Sequence, residues 1–310
     1  MITTVTLNPC IDYTVNVPEL TLGSLNMMQS SRLDVSGKGV NVAVVLSRFG
    51  IPVFCTGVSF TANHTELASF LDREGIDHDF VIAQGSIRTN IKINGGESDD
   101  VTEINSRGDK VSADTLKQVR EKITRLAAKS EMLIMSGRIP NGAGEDIYRK
   151  IMRDVRGLGC KIVIDAERRP LVEAVRERPF LIKPNLHELE VSFGKRAQDI
   201  PGILSVCGMI ISGGVEVVCV SMGKRGALIA SREGAFRAVV RDISPRGLQG
   251  AGDSMVAGIC KAAVDGLELS DMLRYGVAAA SASIIREGTD LCRSEDFEDM
   301  LVRVEIEEIG

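Results

Sequence analysis

No Cys-x-x-Cys pair occurs in this sequence; its seven cysteines lie scattered at positions 10, 55, 160, 207, 219, 260 and 292. An odd count without framework spacing argues against a disulfide scaffold and suits buried free thiols in a reducing compartment. Only three histidines are present, His64, His78 and His187, too far apart for a Cys/His zinc site to be expected. No block rich in lysine or arginine appears, and the net charge is −5, so a nucleic-acid partner is not expected. No run of 18 uncharged apolar residues exists, which argues against a membrane span. The first residues, Met1 to Leu7, have neither a basic region nor a long apolar core and are expected to form a strand rather than a signal peptide. A cytoplasmic protein is expected. Two phosphate-binding signatures are missing as well. Each Gly-Lys pair (37–38, 194–195, 223–224) is followed by Gly or Arg, never Ser or Thr, and no Gly-x-Gly-x-x-Gly occurs. Internal repeats, low-complexity tracts and linkers are also absent.

What is present is a chain of 310 residues, 44% hydrophobic and 25% charged, enough for a substantial core. Short apolar runs are expected as strands at Thr3–Leu7, Val53–Val58, Met132–Met135, Lys161–Asp165, Phe180–Pro184, Val217–Ser221 and Gly226–Ala230. Between them, helices are expected at Val40–Phe49, Thr65–Glu74, Ser112–Lys129, Ala143–Leu158, Leu171–Glu177, Asp253–Asp265 and Leu269–Arg286. This alternation implies a parallel sheet covered on both faces, with ligands beyond the carboxyl ends of its strands. Asp12–Asp34 and Arg88–Asn105 instead alternate apolar and polar residues. Both are expected as antiparallel strands outside the main sheet, forming a small flap.

Several segments carry chemistry. Gly250-Ala251-Gly252-Asp253-Ser254 leads into the apolar run Met255 to Ile259. Such a loop can open onto a helix N-terminus whose free N–H groups hold a phosphate or an oxyanion. Asp253 there fits a base for an attacking hydroxyl, and an ordinary N-cap accounts for it equally. Gly37-Lys38-Gly39-Val40-Asn41 offers close backbone approach, a cation and an amide, or a solvated glycine turn. Lys183-Pro184-Asn185-Leu186-His187-Glu188 places Asn185 and Glu188 on one helical face, suited to organising Mg²⁺ and its waters or to a capping box. Ser221 to Gly226 suits a turn passing close to a nucleotide, or a plain hairpin. Ser136 and Arg138 follow an apolar strand, Asp12 follows the first one, and Arg88 and Lys92 share one strand face.

Taken in order, these segments resemble the ribokinase-like (PfkB) family of sugar kinases, most closely its 1-phosphofructokinase and tagatose-6-phosphate kinase branch. The resemblance rests on Thr6-Leu7-Asn8-Pro9-x-x-Asp12, Gly37-Lys38-Gly39-x-Asn41, Arg88-Thr89-Asn90-Ile91-Lys92, Thr102-Glu103-Ile104-Asn105, Lys183-Pro184-Asn185-x-x-Glu188, Ser221-x-Gly223-x-x-Gly226 and Gly250 to Ser254. It implies one domain over residues 1–310, a three-layer α/β/α sandwich with a mostly parallel sheet and a small β-sheet lid at about 12–34 and 88–105. The implied reaction is ATP- and Mg²⁺-dependent phosphorylation of a ketohexose monophosphate, fructose 1-phosphate first, with tagatose 6-phosphate or fructose 6-phosphate as other acceptors. A non-catalytic sensor of sugar phosphate or nucleotide is the competing class.

The resemblance also implies roles. Asp253 is the base, and the backbone of Gly250, Ala251 and Gly252 the anion hole. Asp12, Gly37 and Asn41 hold sugar hydroxyls, while Lys38, Arg88, Lys92, Ser136 and Arg138 serve the existing phosphate. Lys183, Asn185, Ser221, Gly223, Gly226 and Gly252 contact ATP, and Glu188 holds Mg²⁺ through water. A homodimer through the lid is expected. Two departures stand out: Gly247-Leu248, followed by Gln249, replaces the small polar pair common in relatives, at the place of any monovalent-cation site. Arg138 and Asn141 replace a Ser and a Pro.

Overall fold

The computed structural model describes residues 1–95, 101–286 and 290–310. The first half of the chain runs β1 (Ile2–Thr6), β2 (Cys10–Val17), β3 (Ser30–Ser36), α1 (Lys38–Arg48), β4 (Val53–Phe60), α2 (His64–Arg73), β5 (Asp77–Ala83), β6 (Arg88–Gly95), β7 (Val101–Asn105), α3 (Ala113–Ala127) and β8 (Met132–Ser136). It continues through α4 (Ile147–Asp154), β9 (Lys161–Asp165), α5 (Arg168–Val175), β10 (Leu181–Ile182), α6 (Leu186–Phe193), α7 (Ile200–Ser212), β11 (Val217–Ser221) and β12 (Ala227–Ala230). The last elements are β13 (Ala235–Val239), α8 (Ala251–Val264), α9 (Leu269–Ile284), α10 (Ser294–Leu301) and β14 (Glu305–Glu308).

Ten strands form one sheet in the order β14-β13-β12-β11-β10-β9-β8-β1-β4-β5. From β11 to β5 every neighbour pair is parallel; the β11-β12-β13-β14 side is antiparallel. The central strands are apolar and buried throughout, as in β1 and β8, because helices cover both faces. Helix α1 buries Val40 and the run Val42–Leu46 against this sheet. Small residues let α8 and α9 approach closely: a Cβ on Gly258 would lie 2.4 Å from the Tyr275 carbonyl oxygen.

Every expected strand and helix exists, β9 and β11 with the expected bounds and the others with shifted ends. The expected helix at 143–158 shrinks to α4, and the strand at 180–184 to the two residues of β10. A separate four-stranded sheet, β3-β2-β6-β7, is built from the two segments of alternating residues. The expected all-antiparallel pairing is corrected here. β2–β3 and β6–β7 are antiparallel, but the two segments join through the parallel pair β2–β6, because an intervening α/β layer returns the chain in the same direction. Residues 96–100 of the expected flap lie outside the described residues. Strands β5, β13 and β14 and helices α7 and α10 were not expected. Helix α7 starts where Asp199 caps it by accepting from the Gly202 N–H at 2.9 Å. No helix among the described residues is long and apolar enough to cross a membrane.

Candidate active site

Two helices of distant sequence aim their N-termini at one cleft. Gly37 precedes α1 and Gly250 precedes α8, and neither supplies a side-chain cap. By contrast Ser112, Asn185 and Asp199 cap α3, α6 and α7. Helices α2, α4, α5, α9 and α10 also lack a side-chain cap, but among the described helices α1 and α8 alone bring uncapped first turns to this one cleft wall, where their N–H groups can meet a ligand. Gly250 sits at φ 72°, where a Cβ would also strike Leu291 Cδ2 at 2.3 Å, so only glycine fits this turn.

The cleft has a volume of about 210 Å³, and its wall includes Asp12, Gly37, Lys38, Asn41, Arg88, Lys92, Gly250 and Asp253. These eight residues were expected to serve sugar binding and catalysis. At its centre Asp253 is buried and accepts a hydrogen bond from Asn41 Nδ2 at 2.7 Å. Burial pushes the Asp253 carboxyl up to about 6; Lys38 opposes the rise and Asp165 adds to it. The result is a carboxylate that is charged at neutral pH yet basic enough to take a proton.

Asp165 closes β9 and is completely buried. Its Oδ2 lies 3.2 Å from Lys38 Nζ and accepts from the Ser136 hydroxyl at 3.2 Å; its Oδ1 lies 3.5 Å from Lys183 Nζ and makes no hydrogen bond. Burial alone would raise the Asp165 pKa, but Lys183 and Lys38 outweigh it and hold the carboxyl below the usual range. Burial likewise works against the Lys38 charge, yet Asp165, Glu188 and Asp253 hold its pKa above the ordinary lysine value. Lys183 Nζ lies 3.5 Å from where a Gly252 Cβ would stand, so both ammonium groups converge on the first turn of α8. Sequence reasoning missed Asp165, although a carboxylate closing an apolar strand of a parallel sheet is a usable signal.

The remaining expected residues divide. Lys92 is buried, but its charge is spoken for: Nζ donates to Asp12 Oδ2 at 2.9 Å. Arg88 bonds Asn90 Oδ1 at 2.7 Å and still lines the cleft. Ser136 faces Asp165 rather than the cleft, and Arg138 is half-exposed and paired with Glu167 at 3.3 Å, off the cleft wall. Asn185 and Glu188 form a complete capping box: Asn185 Oδ1 accepts from the Glu188 N–H, and Glu188 Oε2 accepts from the Asn185 N–H, both at 2.8 Å. The other Glu188 oxygen lies 3.7 Å from Lys38 Nζ, facing the site. Ser221 and Asn185 are bridged side by side on the β11 edge. Gly223 and Gly226 shape the β11–β12 turn; at Gly226, φ 81°, a Cβ would lie 2.0 Å from the Ala238 carbonyl oxygen, whereas Gly223 faces open space. Among the segments that departed from the resemblance, Arg246 and Gly247 both donate backbone N–H groups to the Ile284 carbonyl, and Gln249 joins the cleft wall.

Two uncapped helix ends, two ammonium groups held by one buried carboxylate and a second buried carboxyl of raised pKa suit phosphoryl transfer on a doubly covered α/β sheet. The chain belongs to the pfkB family of carbohydrate kinases, whose profile matches residues 5–296. It is similar to the 1-phosphofructokinase of Borreliella burgdorferi, 35% identical over 314 residues covering 100% of this chain and 99% of that protein. It is also similar to that of Bacillus subtilis, at 32% identity with 99% of each chain covered. Among solved structures, phosphofructokinase-2 of Escherichia coli in complex with substrates and products superposes with a TM-score of 0.92. It is 25% identical, with 97% of this chain and 98% of that one covered. The ribokinase-like α/β fold expected from the sequence is the fold observed.

Proposed function

We propose that this protein transfers the γ-phosphoryl group of ATP to fructose 1-phosphate, giving fructose 1,6-bisphosphate. The observation that carries the reading is the buried Asp253, raised to about 6 and hydrogen-bonded by Asn41, at the open N-terminus of α8. The full-length likeness to enzymes named 1-phosphofructokinase supports the choice of acceptor.

In this reading Asp253 takes the proton of the sugar's free primary hydroxyl as that oxygen attacks phosphorus. The N–H groups of Gly250, Ala251 and Gly252 receive the charge on the transferring group, and Lys38 and Lys183, fixed by Asp165, neutralise it from both sides. Asp12, Gly37 and Asn41 hold hydroxyls, and Arg88 takes the phosphate already on the sugar. Ser221, Gly223, Gly226 and Asn185 lie along the nucleotide.

Sugar kinases of this family use ATP and typically Mg²⁺. The donor set suits a water-held ion: no group of three or more acidic, His or Cys side chains forms a cage among the described residues, and the Glu188 oxygen outside the capping box faces the site beside Lys38. When bound, the ion supplies charge neutralisation on the nucleotide phosphates. The small sheet acts as a lid of a single kinase domain spanning residues 1–310, and the protein works in the cytoplasm with no nucleic-acid partner. The exposed apolar residues on that sheet, Leu33, Val101 and Ile104, support a homodimer through the lid.

A coupled assay of ADP release with fructose 1-phosphate, tagatose 6-phosphate, fructose 6-phosphate and unphosphorylated fructose tests the reading. The expected result is the highest kcat/KM with fructose 1-phosphate. Preference for another sugar overturns the acceptor, and tight sugar binding with no turnover favours a sensor.

A further inference from the structure

Gln249 stands between the small sheet and the catalytic loop, and its two ends have different fates. Its Oε1 accepts from Lys92 Nζ. Lysine can only donate, so this bond fixes which end of the amide is oxygen. Lys92 is itself immobile: it is buried on β6, and the same ammonium donates to Asp12 Oδ2. Asp12 is anchored in turn, its Oδ1 accepting from Asn90 Nδ2 at 2.8 Å across the parallel β2–β6 pair. The Gln249 amide is therefore held, through a half-buried bond to Lys92, by a pair of buried bonds within the sheet, while its backbone leads directly into Gly250. Its Nε2, with two hydrogens to donate, has no partner among the described residues and belongs to a side chain on the cleft wall. A free donor pair on a preorganised amide beside the base suits a hydroxyl or phosphate oxygen of the acceptor.

We propose that Gln249 is a substrate-contact and positioning residue: its amide N–H groups donate to an oxygen of the acceptor sugar phosphate, while its carbonyl ties the catalytic loop to the small sheet through Lys92. This deepens the kinase reading and rests on it. Lys92 is then a tether for the catalytic loop, with its charge balanced by Asp12, more than a free cation for the substrate. Losing a neutral hydrogen bond to the sugar weakens binding by about three- to tenfold, and losing one to a phosphate oxygen by more.

Two variants separate the roles. Gln249→Met removes donor and acceptor at similar size; Gln249→Glu keeps an acceptor for Lys92 and removes the donor. Steady-state kinetics are measured with whichever phosphosugar the unaltered enzyme turns over best, alongside the thermal midpoint and the KM for ATP. Both variants are expected to raise the sugar KM by about fivefold or more with the ATP KM unchanged. Only Gln249→Met is expected to lower kcat as well, by about tenfold, because only it frees the loop. A sugar KM within twofold of the unaltered enzyme in both variants overturns the proposal. So does a KM rise confined to Gln249→Glu that disappears at about 0.5 M salt, since that is charge repulsion alone. If the unaltered enzyme ignores fructose 1-phosphate but uses another phosphosugar, the acceptor reading fails while this test still stands.

Discussion

Asp253 is the residue at which function and stability oppose each other. Folded, it keeps its proton up to about pH 6, whereas an unfolded aspartate releases it near pH ~4. Between those values the folded protein binds more protons, so stability falls as pH rises through the folded pKa. At neutral pH the buried charge costs about 3 kcal/mol. Asp253→Asn is therefore expected to raise the calorimetric midpoint at about pH 7.5 while lowering kcat by about 10³-fold. In the unaltered enzyme kcat/KM should fall about tenfold per unit below pH ~6. Asp165 acts on the same group from behind. Its own charge raises the Asp253 pKa, and it restrains two lysines that would lower it. Asp165→Asn is expected to move the acid limb of the kcat/KM profile to lower pH and to destabilise the fold by about 3 kcal/mol, because the buried Lys183 ammonium loses its counter-charge. A pH limb that stays in place would remove Asp165 from the site. The sequence disclosed Asp253 and Asn41 through glycines that frame them. Asp165 has no such frame, since one carboxylate at a strand end looks like many others, and its partners lie 127 and 18 residues away by number, Lys38 and Lys183.

Among elements, what was legible followed burial. The central strands and the amphipathic helices carry continuous or periodic apolar patterns and were expected nearly in place. The edges were not. β14 reads Glu305-Ile306-Glu307-Glu308, and β5 opens Asp77-His78-Asp79, because solvent-facing edge strands tolerate and use charge. The antiparallel side of the sheet, β12 to β14, was thus only half visible. The α8–α9 crossing shows the converse, a packing constraint concentrated at glycines. Gly258→Ala would set a methyl group 2.4 Å from the Tyr275 carbonyl oxygen and force the helices apart. A loss of about 1–3 kcal/mol is expected, read as a lowered thermal midpoint. Because α8 also presents the base, kcat should fall in the same variant; full activity in a destabilised protein would uncouple that crossing from the site.

For the whole molecule, the small sheet and its β2–β3 connection, with Leu22, Leu25, Met27 and Met28, carry a large share of the exposed apolar residues. Leu33 is 65% exposed and Ile104 55%, and their pairing with Tyr13 and Ile91 puts both on the face turned away from Asp12 and Lys92. Burying them against a second copy would rigidify the sheet whose inner face carries Asp12, Arg88 and Lys92. Leu33→Lys is expected to shift sedimentation toward the monomer and to raise the sugar KM while leaving the thermal midpoint within a few degrees. A chain that sediments as a monomer before substitution would remove the dimer from this account.

The hydrogen bond from Asn41 to Asp253 joins residues 212 positions apart. A chain growing from its first residue completes the wall carrying Asp12, Lys38 and Asn41 long before residue 253 is made. If the proposed roles hold, the residues that face the sugar are made well before the base and the anion hole. In that reading the chemistry depends on a contact closed late in the chain, where α8 packs against α1, so a copy lacking its last sixty residues has no means of squandering nucleotide.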